Sequence, residues 1–181
     1  MQGGNFVHFM LDVNEETSTL LCFNIINLDE EIQSELRDSI KKKGKQYMKK
    51  FEHFKSNLKV LVTAENEDLS NEFIVGGIID KFFVQFELGW KVLKELLSYE
   101  GQSISATGSP KMILKTAYTI FDFIDEDIWL GMLKSRNDLT HIYDESSARR
   151  LVGVILKDYI PAFVKMQKGI EEYYGIELEN I

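Results

Sequence analysis

The sequence predicts a mainly α protein, an antiparallel up-and-down helical bundle of four to five helices with a small α+β segment at its N-terminus. Three observations lead to this prediction. From Tyr47 onward, apolar residues recur every three or four positions, as they do on the buried face of a helix. Capping and helix-ending residues separate these stretches. Only the beginning of the chain contains a short apolar run, Leu20–Leu28, that fits a buried strand.

A helix is predicted directly after this strand. Asp29 can cap its N-terminus, and residues 41–44, three lysines and a glycine, are typical of a helix end. We therefore place a domain boundary there. Residues 1–45 form the small α+β segment, and residues 46–181 form the bundle.

Two helices open the bundle. The first is amphipathic and extends to about Ala64, and the second begins at Asp68 or Ser70, both of which are capping residues. The second helix is long and extends to about Tyr99. Gly101 follows it, as glycine commonly does at a helix C-terminus.

The apolar face of the second helix is wider than one neighbouring helix could cover. This width indicates either a central helix or a dimer surface. Gly76 and Gly77 lie inside the same pattern, although glycine lowers helix stability. We expect them to mark a kink or a close approach of the backbone to a neighbour.

Three further helices follow. Ser109 with the proline after it predicts a helix start, and this third helix extends to about Phe121. The fourth begins near Asp125, where three acids suit a helix N-terminus better than a metal site. Asp144 can cap the fifth, in which Pro161 predicts a kink. The residues of the fifth helix that we expect to face inward are Leu151, Val154, Ile155, Tyr159, Phe163 and Met166.

The composition indicates a globular protein of the cytoplasm. The chain has 181 residues, of which 44% are hydrophobic, enough for one substantial core. Cys22 is the single cysteine, and residues 1–5 do not resemble a secretory signal. Charged and polar residues such as Lys81 and Glu87 interrupt the longest apolar run, so we expect no membrane span.

The net charge of −8 argues against a protein that coats nucleic acid, because such binding needs many lysine and arginine contacts to phosphate. It leaves room for a local RNA site. Lys134, Arg149 and Arg150 lie close to the motif described next. They belong either to a solvated helix face or to that site. The sequence predicts neither a bound cofactor nor a metal.

A motif with possible chemistry lies at Arg136, His141 and Tyr143. An arginine can hold a phosphate through paired hydrogen bonds. A histidine can exchange protons near neutral pH, so it could deprotonate a ribose 2′-hydroxyl or protonate a leaving 5′-oxygen without a metal. Chance spacing is the alternative interpretation of the motif taken alone.

On a regular helix, Arg136 and His141 would point about 140° apart, because each residue advances the helix by about 100°. Two arrangements could still bring them into one site. The helix can end between them, with Asp138 or Thr140 helping to unwind it, or a second copy of the motif can complete the site across a symmetric dimer.

The chain from about Phe51 to Tyr174 resembles the HEPN family of helical bundles. The resemblance is closest to the branch of nucleotidyltransferase substrate-binding proteins and HepT-type toxins of toxin–antitoxin pairs. It covers about two thirds of the chain, in the order of the family's motifs. The stretches that carry it are Phe82–Lys91, Ser109–Pro110, Trp129–Leu133 and Arg136–Tyr143.

This resemblance implies a homodimer with a metal-independent endoribonuclease site at the dimer cleft. Arg136 would hold the scissile phosphate, His141 would act as general base or acid, and Asn137 would help to position them. A minimal nucleotidyltransferase would be the partner and cognate antitoxin, and Tyr143 would accept AMP from it. Added negative charge at Tyr143 would oppose RNA entry.

Residues 6–50 carry a weaker resemblance to the tail of a minimal nucleotidyltransferase. The glycine-serine turn and paired aspartates of that enzyme are missing, and Asn24 stands where its third carboxylate would be. We therefore expect no nucleotidyl transfer by this chain alone.

Three hypotheses about function follow. The first is a toxin-like ribonuclease that uses Arg136 and His141. The second is a non-catalytic substrate-binding or docking subunit of a minimal nucleotidyltransferase, and the third is an inert helical dimer.

Overall fold

The structure is a computed structural model that describes residues 49–103, 108–138 and 145–179, with side chains to Tyr174. This part of the chain forms five helices and contains no strand, which confirms the predicted mainly α bundle. The predicted strand over Leu20–Leu28 and the helix after it lie outside the described residues.

The long second helix is the centre of the bundle. It packs against the third, fourth and fifth helices, and these three neighbours cover most of its broad apolar face. The helices are α1 at 49–61, which continues as a 3-10 turn over Val62–Asn66; α2 at Glu72–Tyr99; α3 at Pro110–Ile120; α4 at Glu126–Asn137; and α5, a continuous helix made of Glu145–Val154, a π turn over Ile155–Tyr159, and Ile160–Glu179.

The start of α2 lies a few residues later than the sequence predicts. Asn71 caps the helix, and its side-chain oxygen accepts a hydrogen bond of 2.9 Å from the backbone N–H of Phe73. Asp68 instead accepts a hydrogen bond of 2.9 Å from the N–H of Ser70. This bond stabilises a turn before the helix, because a short acidic side chain can bond either to a helix start or to a turn.

Two predicted helix ends are confirmed. Gly101 adopts a positive φ of 72° after α2, and the N–H of Gln102 bonds to the carbonyl of Leu97 at 2.8 Å. This is the arrangement in which glycine ends helices most often. At the start of α3, the hydroxyl of Ser109 accepts a hydrogen bond from the N–H of Met112.

Fully buried aromatic side chains form the middle of the core. The indole ring of Trp129 meets the ring of Phe163 edge-on, with centroids 5.4 Å apart. Gly89 allows α2 to approach α4 closely, because a Cβ at this position would lie only 2.8 Å from Cη2 of Trp129. The fully buried aromatic residues come from α1, α2, α4, α5 and the residue after α3, and are Phe54, Phe82, Phe86, Phe121, Trp129 and Phe163.

The close approach expected at two glycines is absent within the described part of the protomer, and one residue expected to face inward is exposed. Gly76 and Gly77 lie inside the continuous helix α2, and a Cβ at either position would meet no described atom within 4 Å. The expected close approach therefore does not occur within the described part of the protomer. Val154 was expected to face inward but is 37% exposed, because Leu151 and Ile155 already occupy the buried side of α5.

A π turn directly precedes Pro161, where the sequence predicts a kink. The N–H of Ile160 bonds to the carbonyl of Ile155, five residues earlier. Proline has no N–H and its ring crowds the carbonyl four residues before it. One wider turn accommodates that carbonyl, so α5 passes the proline without ending.

Candidate functional site

Arg136 lies in the last turn of α4. Asp125 caps the other end of this helix by accepting a hydrogen bond of 3.0 Å from the N–H of Ile128. Acidic residues occupy the first turn, and Lys134 and Arg136 occupy the last turn. This charge distribution complements the helix dipole, which favours cations at the C-terminal end.

The helix ends between the arginine and the histidine of the motif. Helix α4 stops at Asn137, and Asp138 caps it with its N–H bonded to the carbonyl of Lys134. The helix that carries Arg136 therefore ends one residue after it, as the first of the two arrangements requires. His141 and Tyr143 lie outside the described residues.

The guanidinium group of Arg136 is paired with a carboxylate of α2. Its Nε and Nη2 lie 3.1 Å and 2.8 Å from Oε1 of Glu87. Its Nη1 donates a hydrogen bond of 3.1 Å to Oδ1 of Asn137. Asn137 therefore contacts the guanidinium group, which the family resemblance expects it to position. The Arg136 side chain is nevertheless 44% exposed.

Glu87 accepts two further hydrogen bonds through its other oxygen. Nε1 of Trp90 and Nζ of Lys91 lie 3.1 Å and 3.2 Å from Oε2. Partial burial acts to raise the pKa of Glu87, but the hydrogen bonds from Lys91 and Trp90 and the charges of Lys91 and Arg136 outweigh it. The pKa of this carboxyl group therefore lies below its ordinary value, and the group is ionised at neutral pH.

A second contact fixes the last turn of α4. The hydroxyl of Ser135 lies 2.9 Å from the hydroxyl of Tyr159. Tyr159 belongs to the π turn of α5, and its ring stacks on Phe82 of α2 with centroids 5.1 Å apart. The residue before Arg136 is thus bonded to the neighbouring helix.

The close packing of α2 on α4 explains why Glu87 reaches Arg136. Gly89 lies two residues after Glu87, and Trp129 lies two helical turns before Arg136 on α4. Their contact brings the two helix backbones together. A side chain at position 89 would hold the helices apart.

The arrangement leaves the guanidinium group able to bind an anion. A guanidinium carries five N–H donors, and three of them are used by Glu87 and Asn137. The remaining donors have no partner among the described residues. A phosphate could accept hydrogen bonds from them without displacing Glu87.

The neighbouring arginines have structural contacts. Arg149 pairs with Glu145 at 2.6 Å and donates hydrogen bonds to the carbonyls of Leu69 and Ser70, before α2. Arg150 donates to serine hydroxyls within its own helix. Arg149 therefore fits neither of the two alternatives, a solvated helix face or the site, because it attaches α5 to the loop before α2.

Sequence reasoning missed the role of Glu87, which it treated only as an interruption of an apolar run. A local signal was present, because Glu87 and Lys91 have the spacing of a helical ion pair. The pairing with Arg136 joins residues 49 positions apart and has no local signal.

No group of three or more His, Cys, Asp or Glu side chains within the described ranges could hold a metal ion. None of the helices described combines the length and apolar content that crossing a bilayer requires.

Comparison with known proteins identifies a family. A family model described as "Nucleotidyltransferase substrate binding protein like" matches residues 29–172. The match begins before the predicted domain boundary near residue 45. No curated protein matches the chain. Because the family model spans well over half of the 181 residues, the chain belongs to the family of nucleotidyltransferase substrate-binding-like proteins.

Proposed function

We propose that the chain is a metal-independent endoribonuclease of the toxin type, with a phosphate-binding site at the C-terminal end of α4. The observation that carries this proposal is the state of Arg136. The guanidinium group is held by Glu87 and Asn137 but remains 44% exposed, and two of its donors have no partner among the residues that the structure describes. A preorganised, exposed guanidinium suits the developing charge of a phosphodiester under attack.

Three residues carry the reaction in this proposal. Arg136 binds the scissile phosphate, and Asn137 keeps the guanidinium group in place. His141 takes the proton of the 2′-hydroxyl as it attacks the phosphorus and returns a proton to the leaving 5′-oxygen. The end of α4 at Asn137 supports the proposal, because a regular helix running through both motif residues would point their side chains about 140° apart.

RNA cleavage in the presence of EDTA tests this function. The purified protein should cleave single-stranded RNA, and His141→Ala and Arg136→Ala should each lower the rate at least about 100-fold. Arg150→Ala is the matched control, because it removes an exposed arginine whose bonds within the described ranges are to serines of its own helix. Undiminished cleavage by both motif variants would refute the proposal.

We include a second copy of the chain in this proposal. One face of α2 carries Phe73, which is 92% exposed, the open glycines Gly76 and Gly77, and Val84, which is 49% exposed. The same three- or four-residue spacing includes the exposed Asp80 and continues to Glu87. An apolar face of this kind beside the site supports a symmetric contact between two protomers.

Sedimentation measurements test the dimer. Phe73→Ser should shift the chain towards the monomer, because this ring has almost no contact within the protomer. Val60→Ser, at a 51% exposed position of α1, should leave the oligomeric state unchanged. Equal behaviour of the two variants would exclude this face of α2 as the dimer contact.

The family match favours a second candidate function, docking of a minimal nucleotidyltransferase. In this alternative, residues 1–45 are a remnant of such an enzyme, residues 46–181 present its substrate, and Tyr143 accepts AMP. The chain mixed with its nucleotidyltransferase partner and ATP should gain the mass of one AMP, and Tyr143→Phe should not. Failure of the two proteins to form a complex would count against docking.

A further inference from the structure

We propose that Glu87 is a positioning residue for Arg136, which holds one edge of the guanidinium group and directs its remaining donors towards a bound phosphate. This inference rests on the proposed phosphate site. Glu87 itself does not contact the phosphate, and its effect is exerted through the orientation of Arg136.

The contacts of Arg136 define the edge that is held. Nε and Nη2 both bond to the same oxygen of Glu87, and these two nitrogens lie along one side of the planar guanidinium. The planar fork has a fixed geometry, so holding one side also fixes the direction of the other donors. Asn137 adds a third bond at Nη1.

The carboxylate is itself fixed. Trp90 and Lys91 bond to the oxygen that Arg136 does not use, and the Glu87 side chain is 28% exposed. Both donors lie on the same helix as Glu87, within about one turn. The position of the carboxylate is therefore set by contacts within α2, and α2 orients Arg136 through this carboxylate.

Glu87 has two opposing effects, because it orients Arg136 for the reaction while its negative charge weakens the binding of phosphate. Holding Arg136 in one direction lowers the barrier of the reaction, because misplaced groups lose much of their effect. The negative charge of Glu87 also repels the phosphate on the far side of the guanidinium. Removing that charge should therefore strengthen phosphodiester binding while slowing cleavage. A residue with only a structural role would weaken both.

The experiment compares Glu87→Gln with Glu65→Gln, which makes the same substitution at an exposed position of the 3-10 turn after α1. A 2′-O-methyl RNA oligonucleotide, which has no free 2′-hydroxyl to attack, gives the Kd by fluorescence anisotropy at low salt. Unmodified RNA gives kcat. Glu87→Gln should bind the oligonucleotide about three- to ten-fold tighter than Glu65→Gln, with kcat at least about ten-fold lower.

Two further variants separate the possible failures. Arg136→Ala should bind the oligonucleotide more weakly than the wild type, and unchanged binding would refute the phosphate site itself. If Arg136→Ala does bind more weakly, equal Kd values for Glu87→Gln and Glu65→Gln would overturn only the inference about Glu87. Trp90→Phe, which removes one donor to Glu87 and keeps an aromatic ring, should shift kcat in the same direction by a smaller factor.

Discussion

Replacing Gly89 with alanine should separate α2 from α4 and destabilise the fold, whereas the same replacement at Gly76 should stabilise it. The added Cβ at position 89 would lie 2.8 Å from Cη2 of Trp129 and 3.3 Å from Cε2 of Phe54. Carbon atoms in good contact are about 3.5–4.0 Å apart. Both rings are completely buried, so neither can move without disturbing the core.

The two variants share one favourable contribution. Glycine to alanine inside a helix raises stability by about 0.8–1 kcal/mol. Gly76 receives only this gain, because no described atom lies within 4 Å of its added Cβ. Gly89 also incurs an overpacking cost of about 1–3 kcal/mol. The free energies of unfolding of the two variants should therefore differ by about 1–3 kcal/mol, which is the steric cost alone.

Urea unfolding followed by tryptophan fluorescence measures this difference. Measurements at two protein concentrations separate any contribution from self-association. If Gly89→Ala proves as stable as Gly76→Ala, the close packing of α2 against Trp129 is not as described, and the explanation of how Glu87 reaches Arg136 fails with it.

Three other predictions concern stability. The pKa of Glu87 in the folded protein is lowered from 4.5. Its ion pair with Arg136 therefore contributes about 0.5–1 kcal/mol to the free energy of unfolding at neutral pH. This contribution should be lost as the pH falls from about 4.5 through the folded pKa. The stability gap between wild type and Glu87→Gln should accordingly narrow in acid, and a constant gap would contradict the ion pair with Arg136. Gly169→Ala should lower the urea midpoint, because its Cβ would lie 2.3 Å from the buried ring of Phe123 and the overpacking cost, at the upper end of about 1–3 kcal/mol, exceeds the helix gain of about 0.8–1 kcal/mol; an unchanged midpoint would disprove that contact. Ser109→Ala should cost about 0.5–1 kcal/mol in the same assay through loss of the α3 cap, and Ser109→Gly should cost less.

Much of the fold could be predicted because its signals are local. Helical spacing of apolar residues, the cap at Ser109 and the stop at Gly101 depend on a few neighbouring residues. The start of α2 was misplaced because Asp68, Ser70 and Asn71 are all capping residues. Which of them caps the helix depends on the turn that the loop adopts.

The candidate site was predictable only in part. Arg136 and Asn137 were found from their residue types and from a family resemblance, and α4 places them next to each other at its end. The roles of His141 and Tyr143 stay predictions. The partners of Arg136 and Arg149 were not predictable, because each bond joins residues that are far apart in the chain.

The sequence by itself determined the helical bundle and most helix ends, since periodicity and capping act within one or two turns. It also identified the arginine on which the proposed chemistry depends. Only the tertiary structure decided that this arginine is held by Glu87, and that Ser135, the residue before it, is bonded to Tyr159. Those contacts depend on how closely α2, α4 and α5 pack, and that distance is set by Gly89 and by the side chains of all three helices together.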